Sequence, residues 1–149
     1  MGQPKVQGLS HLTLAVADLA RSLQFYRDLL GLELRAHWTG GAYLEAGSLW
    51  LCLSVDPAVQ GGPRPDYTHV AFDVAPEDFE PLCSKIRSVA AVWKENRSEG
   101  ASLYVFDPDG HKLELHVGSL ETRLAHYRAH PVPGRFIEDR HPAPAQAPR

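Results

Sequence analysis

The feature that most constrains this chain is an order of elements that occurs twice. From Leu9 to Val16 it reads L-S-H-L-T-L-A-V, with Leu12, Leu14 and Val16 on one parity and His11, Thr13 and Ala15 on the other. That two-residue period predicts a strand with one buried face. Asp18 then offers an N-cap to L-A-R-S-L-Q-F-Y-R-D-L-L, whose Leu19, Leu23, Tyr26 and Leu30 keep helical spacing until Gly31 supplies a stop. The spacing predicts a helix of about three turns. L-E-L-R-A-H-W, the stretch around A-Y-L-E-A, and S-L-W-L-C-L-S-V follow as short strands separated by Gly40-Gly41 and Gly47.

After a Pro/Gly-rich connection from Asp56 to Asp66 the same order returns. T-H-V-A-F-D-V alternates as a strand, and Pro76 opens a helical stretch, E-D-F-E-P-L-C-S-K-I-R, with Pro81 as an interior irregularity. V-W-K, S-L-Y-V-F and H-K-L-E-L-H-V complete the set, the last two joined by a type I turn at Asp107-Pro108-Asp109-Gly110. Both halves read βαβββ, with His11 and His69 on corresponding first strands. The expected fold is α+β: paired modules whose mixed sheets curl around a shared cup, each covered on its outer face by a helix. The expected organisation is one domain over 1–130, with modules at about 8–56 and 67–118 and a closing helix at about 119–130. The tail, 131–149, holds five of the 12 prolines and is expected to pack loosely.

With 149 residues, 15 Lys plus Arg against 18 Asp plus Glu, and 44% apolar residues, the composition excludes disorder, collagen and coiled coil. A domain of this length buries roughly 70% of the surface its unfolded chain exposes, so a metal would serve chemistry rather than hold the fold together. A net charge of -3 lacks the clustered basic excess that nucleic acid requires, leaving a small molecule as the expected partner. Cys52 and Cys83 sit in apolar stretches without a CxxC pair, which points to a reducing compartment, the cytoplasm. Neither an export leader nor an apolar run of about 20 residues is present, so no membrane association is expected.

Parity also sorts the chemistry. His11 and Thr13 oppose the leucines of the first strand; Trp50, Cys52 and Ser54 oppose Leu49, Leu51 and Leu53; Lys112, Glu114 and His116 oppose Leu113, Leu115 and Val117. Two neutral imidazoles and one carboxylate, His11, His69 and Glu114, are a donor set for a divalent ion that leaves positions open for substrate. Any half-exposed antiparallel sheet shows polar alternation too, and the chain has eight histidines and nine glutamates to draw on. His37, His111, His116, His126, His130 and His141 are expected at the surface or in turns. In W-K-E-N-R-S-E-G-A-S-L-Y, Asn96, Ser98, Ser102 and the carbonyls near Gly100 could wrap a monovalent cation, and Lys94 and Arg97 could meet an anion; a solvated polar loop has the same composition. Cys52 lacks an evident His partner and is expected to pack against a pocket rather than act as a nucleophile.

H-L-T-L-A-V-A-D-L with S-L-x-F-Y-R-D-L-L-G, G-A-Y-L-E-x-G-S-L-W-L-C-L-S, D-Y-T-H-x-A-F, W-K-x-N-R-S-E-G-x-S-x-Y and D-P-D-G-H-x-L-E-x-H-V-G resemble the fosfomycin resistance glutathione transferases of the FosA type. These belong to the vicinal oxygen chelate superfamily. The opening strand-helix and the D-P-D-G-H-x-L-E turn mark only the superfamily, whereas W-K-x-N-R-S-E-G-x-S-x-Y and the W-L-C-L-S strand are more specific. The likeness runs from about Leu9 to Arg123.

The resemblance implies manganese at His11, His69 and Glu114, in a domain-swapped homodimer where His11 of one copy completes the site of the other. It implies potassium at Asn96, Ser98, Gly100 and Ser102. Lys94, Ser98, Tyr104 and Arg123 match residues that hold the phosphonate of fosfomycin; Trp50, Cys52 and Tyr67 match further substrate contacts, and Thr13 a hydroxyl near the reacting oxygen. Tyr43, with Trp38, Ser54 and Arg97, falls where the family admits glutathione, and Tyr43 could favour the thiolate by donating to its sulfur. Gly40 stands where relatives often carry Gln, and the tail past Arg135 has no counterpart. Rival readings are a thiol-independent epoxide hydrolase, a glyoxalase-type isomerase or an extradiol dioxygenase on the same fold, and a metal-free protein that sequesters a drug such as bleomycin.

Overall fold

The computed structural model describes residues 2–140; Met1 and 141–149, and with them His141 and the end of the proline-rich tail, lie outside the described residues. The first module runs β1 (His11–Val16), α1 (Leu19–Leu23), β2 (Glu33–Trp38), β3 (Gly41–Ala46) and β4 (Leu49–Val55). The second runs β5 (Val70–Asp73), α2 (Pro76–Arg87), β6 (Val92–Lys94), β7 (Ala101–Phe106) and β8 (Lys112–Val117), followed by α3 (Leu120–Ala129). Each module forms its own four-stranded mixed sheet, ordered β1-β4-β3-β2 and β5-β8-β7-β6, with the first strand parallel to the last. These are the paired α+β modules that the alternation predicts.

The leucine parity of both sheets faces one core. Leu14, Val16, Leu44, Leu51 and Leu53 meet Phe72, Leu103, Val105, Leu113 and Leu115, with Phe79, Cys83 and Ile86 of α2 packed among them. Each fully buried side chain of this kind contributes roughly 1.5–3 kcal/mol. A register slip of one residue would turn a whole row outward, so the pattern fixes which face is polar. That polar face points away from the shared core on both sheets, so within one chain the two modules do not enclose a cup between their ligand-bearing faces.

The first helix departs from three regular turns. Asp18 caps it as expected, its Oδ1 accepting from the Arg21 N–H at 3.0 Å, and Gly31 ends it at φ +82°. After Leu23, however, residues Gln24–Leu29 widen into a π-helix, in which the Leu30 N–H donates to the Phe25 carbonyl at 2.9 Å. The wider turn lets the adjacent Phe25 and Tyr26 both enter the core, where they are 7% and 0% exposed.

The turn between β7 and β8 also clasps the two modules together. Asp107 Oδ1 accepts from the N–H groups of Asp109 (2.9 Å) and His111 (2.8 Å), and its Oδ2 accepts from the Tyr26 hydroxyl at 2.7 Å. Asp109, wholly buried, accepts from the Ala17 N–H (3.0 Å), Arg21 Nη2 (2.8 Å) and Ser22 Oγ (3.4 Å). His111, expected at the surface or in a turn, is a half-buried turn residue whose Nε2 reaches the Ala15 carbonyl at 2.8 Å. Burial pushes the Asp107 carboxyl above its ordinary value, and burial together with Asp107 pushes the Tyr26 hydroxyl well above its own.

The helix expected to close the molecule is present as α3. Ser119 and Thr122 form a reciprocal capping box, yet no residue of α3 is buried within the chain. No helix among the described residues is long and apolar enough to cross a membrane.

Candidate active site

The polar face of the second sheet brings His69 and Glu114 together. His69 stands one residue ahead of β5, not within it. Its Nδ1 lies 2.8 Å from the Tyr67 carbonyl, to which only an N–H can donate, so the neutral ring has a bare Nε2. That Nε2 lies 3.1 Å from Glu114 Oε2. In the neutral ring that Nε2 carries a lone pair directed at a carboxylate oxygen, two donor atoms that a bound cation would bridge. Glu114 is 7% exposed, and its Oε1 accepts from Ser102 Oγ at 2.6 Å. One imidazole nitrogen and one carboxylate oxygen, each oriented by a hydrogen bond at its far atom, fit a divalent ion such as manganese.

His11 stands apart from this pair. It is exposed on β1, its ring 4.6 Å from that of Trp50 and its Nδ1 3.1 Å from Ser10 Oγ. Among the described residues, no three His, Cys, Asp or Glu side chains of one chain group in a way that could hold a metal ion.

Beside His69 and Glu114 lies a cationic wall. Lys94 Nζ sits 2.5 Å from the Tyr67 hydroxyl and 4.8 Å from the ring centroids of both Tyr67 and Tyr104. The hydrogen bond to Tyr67 holds its ammonium above the ordinary lysine value. Tyr104, 3% exposed, pairs across the sheet with Glu114 on one side and Lys94 on the other. Behind them Trp93 packs edge-on to His69 (5.6 Å) and Tyr104 (5.2 Å) and donates its Nε1–H to the Leu113 carbonyl at 3.1 Å.

The loop assigned to a monovalent cation is folded on itself. The Ser98 N–H and Oγ both donate to Asn96 Oδ1, at 3.0 and 3.1 Å, and Asn96 Nδ2 donates to the Gly100 carbonyl at 2.8 Å. Ser102, placed in the same set by resemblance, turns its hydroxyl to Glu114 instead. Arg123 of α3 reaches this loop through Glu99, its Nε 3.1 Å from Oε2 and its Nη2 2.9 Å from the carbonyl. Arg97 is exposed there.

The first sheet carries the other half of the predicted residues. Trp38, Tyr43 and Trp50 make an edge-on aromatic row with centroids 4.9 and 5.1 Å apart, all three more than a third exposed. Tyr43 pairs with Cys52, and Cys52 with Thr13, across adjoining strands. Cys52 is nearly buried, while Thr13 and Ser54 are exposed. Gly40 lies under the Trp38 indole, where an added Cβ would come within 3.4 Å of Nε1. Within one chain the predicted residues are thus divided between two outward faces. A cavity of about 630 Å³ between the π-helix and β7 is lined by Phe25, Leu29, Ala90 and Phe106 and contains none of them.

His116 is the correction to the expected surface histidines. It is half-buried, and its Nδ1 lies 2.7 Å from Ser102 Oγ. Its signal was available, because it shares the parity of Glu114; Trp93, outside any parity argument, had none.

The residues 8–115 match the model of the Glyoxalase/Bleomycin resistance protein/Dioxygenase superfamily, and the chain belongs to it. Within it, the chain is 58% identical over 132 residues to the glutathione transferase FosA of Serratia marcescens, covering 87% of this chain and 94% of that one, and the two share a family. The metallothiol transferase FosB of Staphylococcus haemolyticus (strain JCSC1435) is 37% identical over 131 residues, covering 83% and 92%. Among solved structures, the fosfomycin resistance protein FosX of Listeria monocytogenes, complexed with Mn(II) and a sulfate ion, superposes with a TM-score of 0.73 at 30% identity, covering 83% and 99%.

Proposed function

We propose that this chain is a manganese-dependent, potassium-stimulated glutathione transferase that inactivates fosfomycin by adding the thiol to its epoxide, acting as a single domain over 1–130 in a cytoplasmic homodimer. The observation that carries the reading is His69 Nε2 facing Glu114 Oε2 at 3.1 Å beside Lys94. It is supported by the identity to the FosA glutathione transferase and by the likeness to FosX, whose structure holds Mn(II). In the homodimer, His11 of one copy meets His69 and Glu114 of the other, which also covers the exposed row of Trp38, Tyr43 and Trp50.

Fosfomycin joins a phosphonate, nearly a dianion, to a strained epoxide. Lys94 and Arg123 neutralise the phosphonate, and Ser98 and Tyr104 donate directional hydrogen bonds to its oxygens. A potassium ion at Asn96, Ser98, Gly100 and Ser102 would exchange for the hydrogen bonds among Asn96, Ser98 and Gly100, while Ser102 would offer its oxygen and still donate its proton to Glu114. Trp50, Cys52 and Tyr67 pack around the carbon skeleton and exclude water. When bound, the divalent ion supplies a Lewis acid and an orienting template. Thr13 donates to the epoxide oxygen as it gains charge. A thiol with a pKa near 8.5 is only a few per cent thiolate at pH 7, so the Tyr43 hydroxyl donates to the sulfur and raises that share, while Trp38, Ser54 and Arg97 hold the rest of glutathione.

The test incubates purified protein with Mn²⁺, K⁺ and fosfomycin, with and without glutathione, and reads the products by mass spectrometry. A thiol adduct that needs both the metal and glutathione is expected. A diol formed without thiol would establish the hydrolase reading instead, and unaltered drug held tightly by metal-free protein the sequestering one.

A further inference from the structure

His116 lies two residues beyond Glu114 on β8 and on the same face. Ser102 has one hydroxyl proton and gives it to Glu114 Oε1 at 2.6 Å. Its oxygen also lies 2.7 Å from His116 Nδ1, so Nδ1 must be the protonated nitrogen and must donate. The same Nδ1 stands 3.4 Å from Glu114 Oε1.

The imidazole sits in a slot left by two glycines. A Cβ at Gly100 would come within 2.8 Å of its Cε1, and one at Gly118 within 2.9 Å of its Nε2. Both glycines have positive φ, +86° and +141°, where a side chain is disfavoured for its own sake. The wall at Gly100 is the loop whose carbonyl accepts from Asn96, so His116 touches the metal-side carboxylate and the cation loop together.

We infer that His116 is a positioning residue for Glu114. Its Nδ1–H fixes the Ser102 oxygen, the Ser102 hydroxyl occupies Glu114 Oε1, and Oε2 alone is left to face His69 as a metal donor. Without the imidazole the Ser102 hydroxyl is free to rotate and the carboxylate loses its fixed orientation. The inference rests on the metal-dependent reading above.

The experiment measures Mn²⁺ affinity of the full-length chain from the electron paramagnetic resonance signal of the free aqua ion, with thermal melting alongside. Wild-type protein that binds no Mn²⁺ overturns the metal-dependent reading itself. If wild type binds, His116→Phe, which fills the slot without a donor, should weaken affinity by about tenfold or more. His116→Asn, whose amide nitrogen places a donor near Nδ1, should recover most of that loss. Ser102→Ala leaves the slot untouched and should weaken binding similarly, even if the Phe variant does not fold, and the double variant should bind no more weakly than Ser102→Ala alone. Wild-type affinity in His116→Phe or Ser102→Ala, an Asn variant no tighter than Phe, or losses that add in the double variant would each overturn the inference.

Discussion

Mixing two variants that are each inactive, His11→Ala and Glu114→Ala, should restore activity if the site is shared between copies. The structure sets the arithmetic. His11 lies on one sheet and His69 with Glu114 on the other, and the three do not converge within a chain. In a mixed dimer, one of the two sites loses both residues and the other keeps all three. Random exchange makes half of the dimers mixed, each with one working site of two, so recovery should be about a quarter of wild-type activity per chain. The two proteins would be unfolded together in urea, refolded, reloaded with Mn²⁺ and assayed for the glutathione adduct. A site contained in one chain gives no recovery at any ratio, and that result would refute the reasoning. A control separates the cases from the opposite side. Wild type mixed equally with the His11→Ala/Glu114→Ala double variant should fall to about a quarter if sites are shared, because every mixed dimer is dead, and only to about a half if they are not.

Tyr26→Phe removes the hydroxyl that donates to buried Asp107 Oδ2 and should cost about 1.5–3 kcal/mol in urea unfolding; an unchanged midpoint would show the clasp to be energetically idle. The raised Asp107 carboxyl favours folding most below its unfolded value, and the benefit fades as pH rises through the folded one. Urea midpoints across a pH series should therefore shift in favour of Asp107→Asn relative to wild type as pH rises from the ordinary carboxylate range, and a pH-independent difference would contradict this. Lys94→Met should weaken fosfomycin binding roughly tenfold or more, visible in KM for the drug; equal KM values would place the phosphonate elsewhere. Tyr43→Phe should lower kcat/KM for glutathione most on the acid side of about pH 8.5, where the free thiol is protonated. Full turnover across neutral pH would remove Tyr43 from the mechanism.

Parity made the doubled strand order and the buried leucine rows legible, because alternation and burial are the same physical fact seen twice. The π-helix was not legible: Leu19, Leu23, Tyr26 and Leu30 satisfy regular helical spacing, and only the competition of Phe25 and Tyr26 for one core selects the wider turn. Residues 119–130 have helical character and α3 forms over Leu120–Ala129, but nothing in them says what lies against it, and among the described residues none of its side chains is fully buried. The division of the predicted site between two faces was equally hidden, since which sheet meets which depends on contacts far apart in sequence. Asp107 and Asp109 passed as turn formers because their first duty, shaping the D-P-D-G turn, masks the second, holding β1 and α1.

The registers show how the two halves differ. His11 pairs with Trp50, and extending the Val70–Leu113 pairing by one residue sets His69 beside Lys112; Tyr43 pairs with Cys52 where Tyr104 pairs with Glu114. The modules are therefore equivalent in position and unequal in charge: Trp50 and Cys52 in the first stand where the second has Lys112 and Glu114. A carboxylate at position 52 would give a symmetric set of four donors and close a position that substrate needs. Manganese prefers oxygen and nitrogen to sulfur, so Cys52 leaves that position open in the proposed dimer. Cys52→Glu should then tighten Mn²⁺ binding while reducing turnover of fosfomycin, and a variant that lost affinity and activity together would show that position 52 does not face the ion.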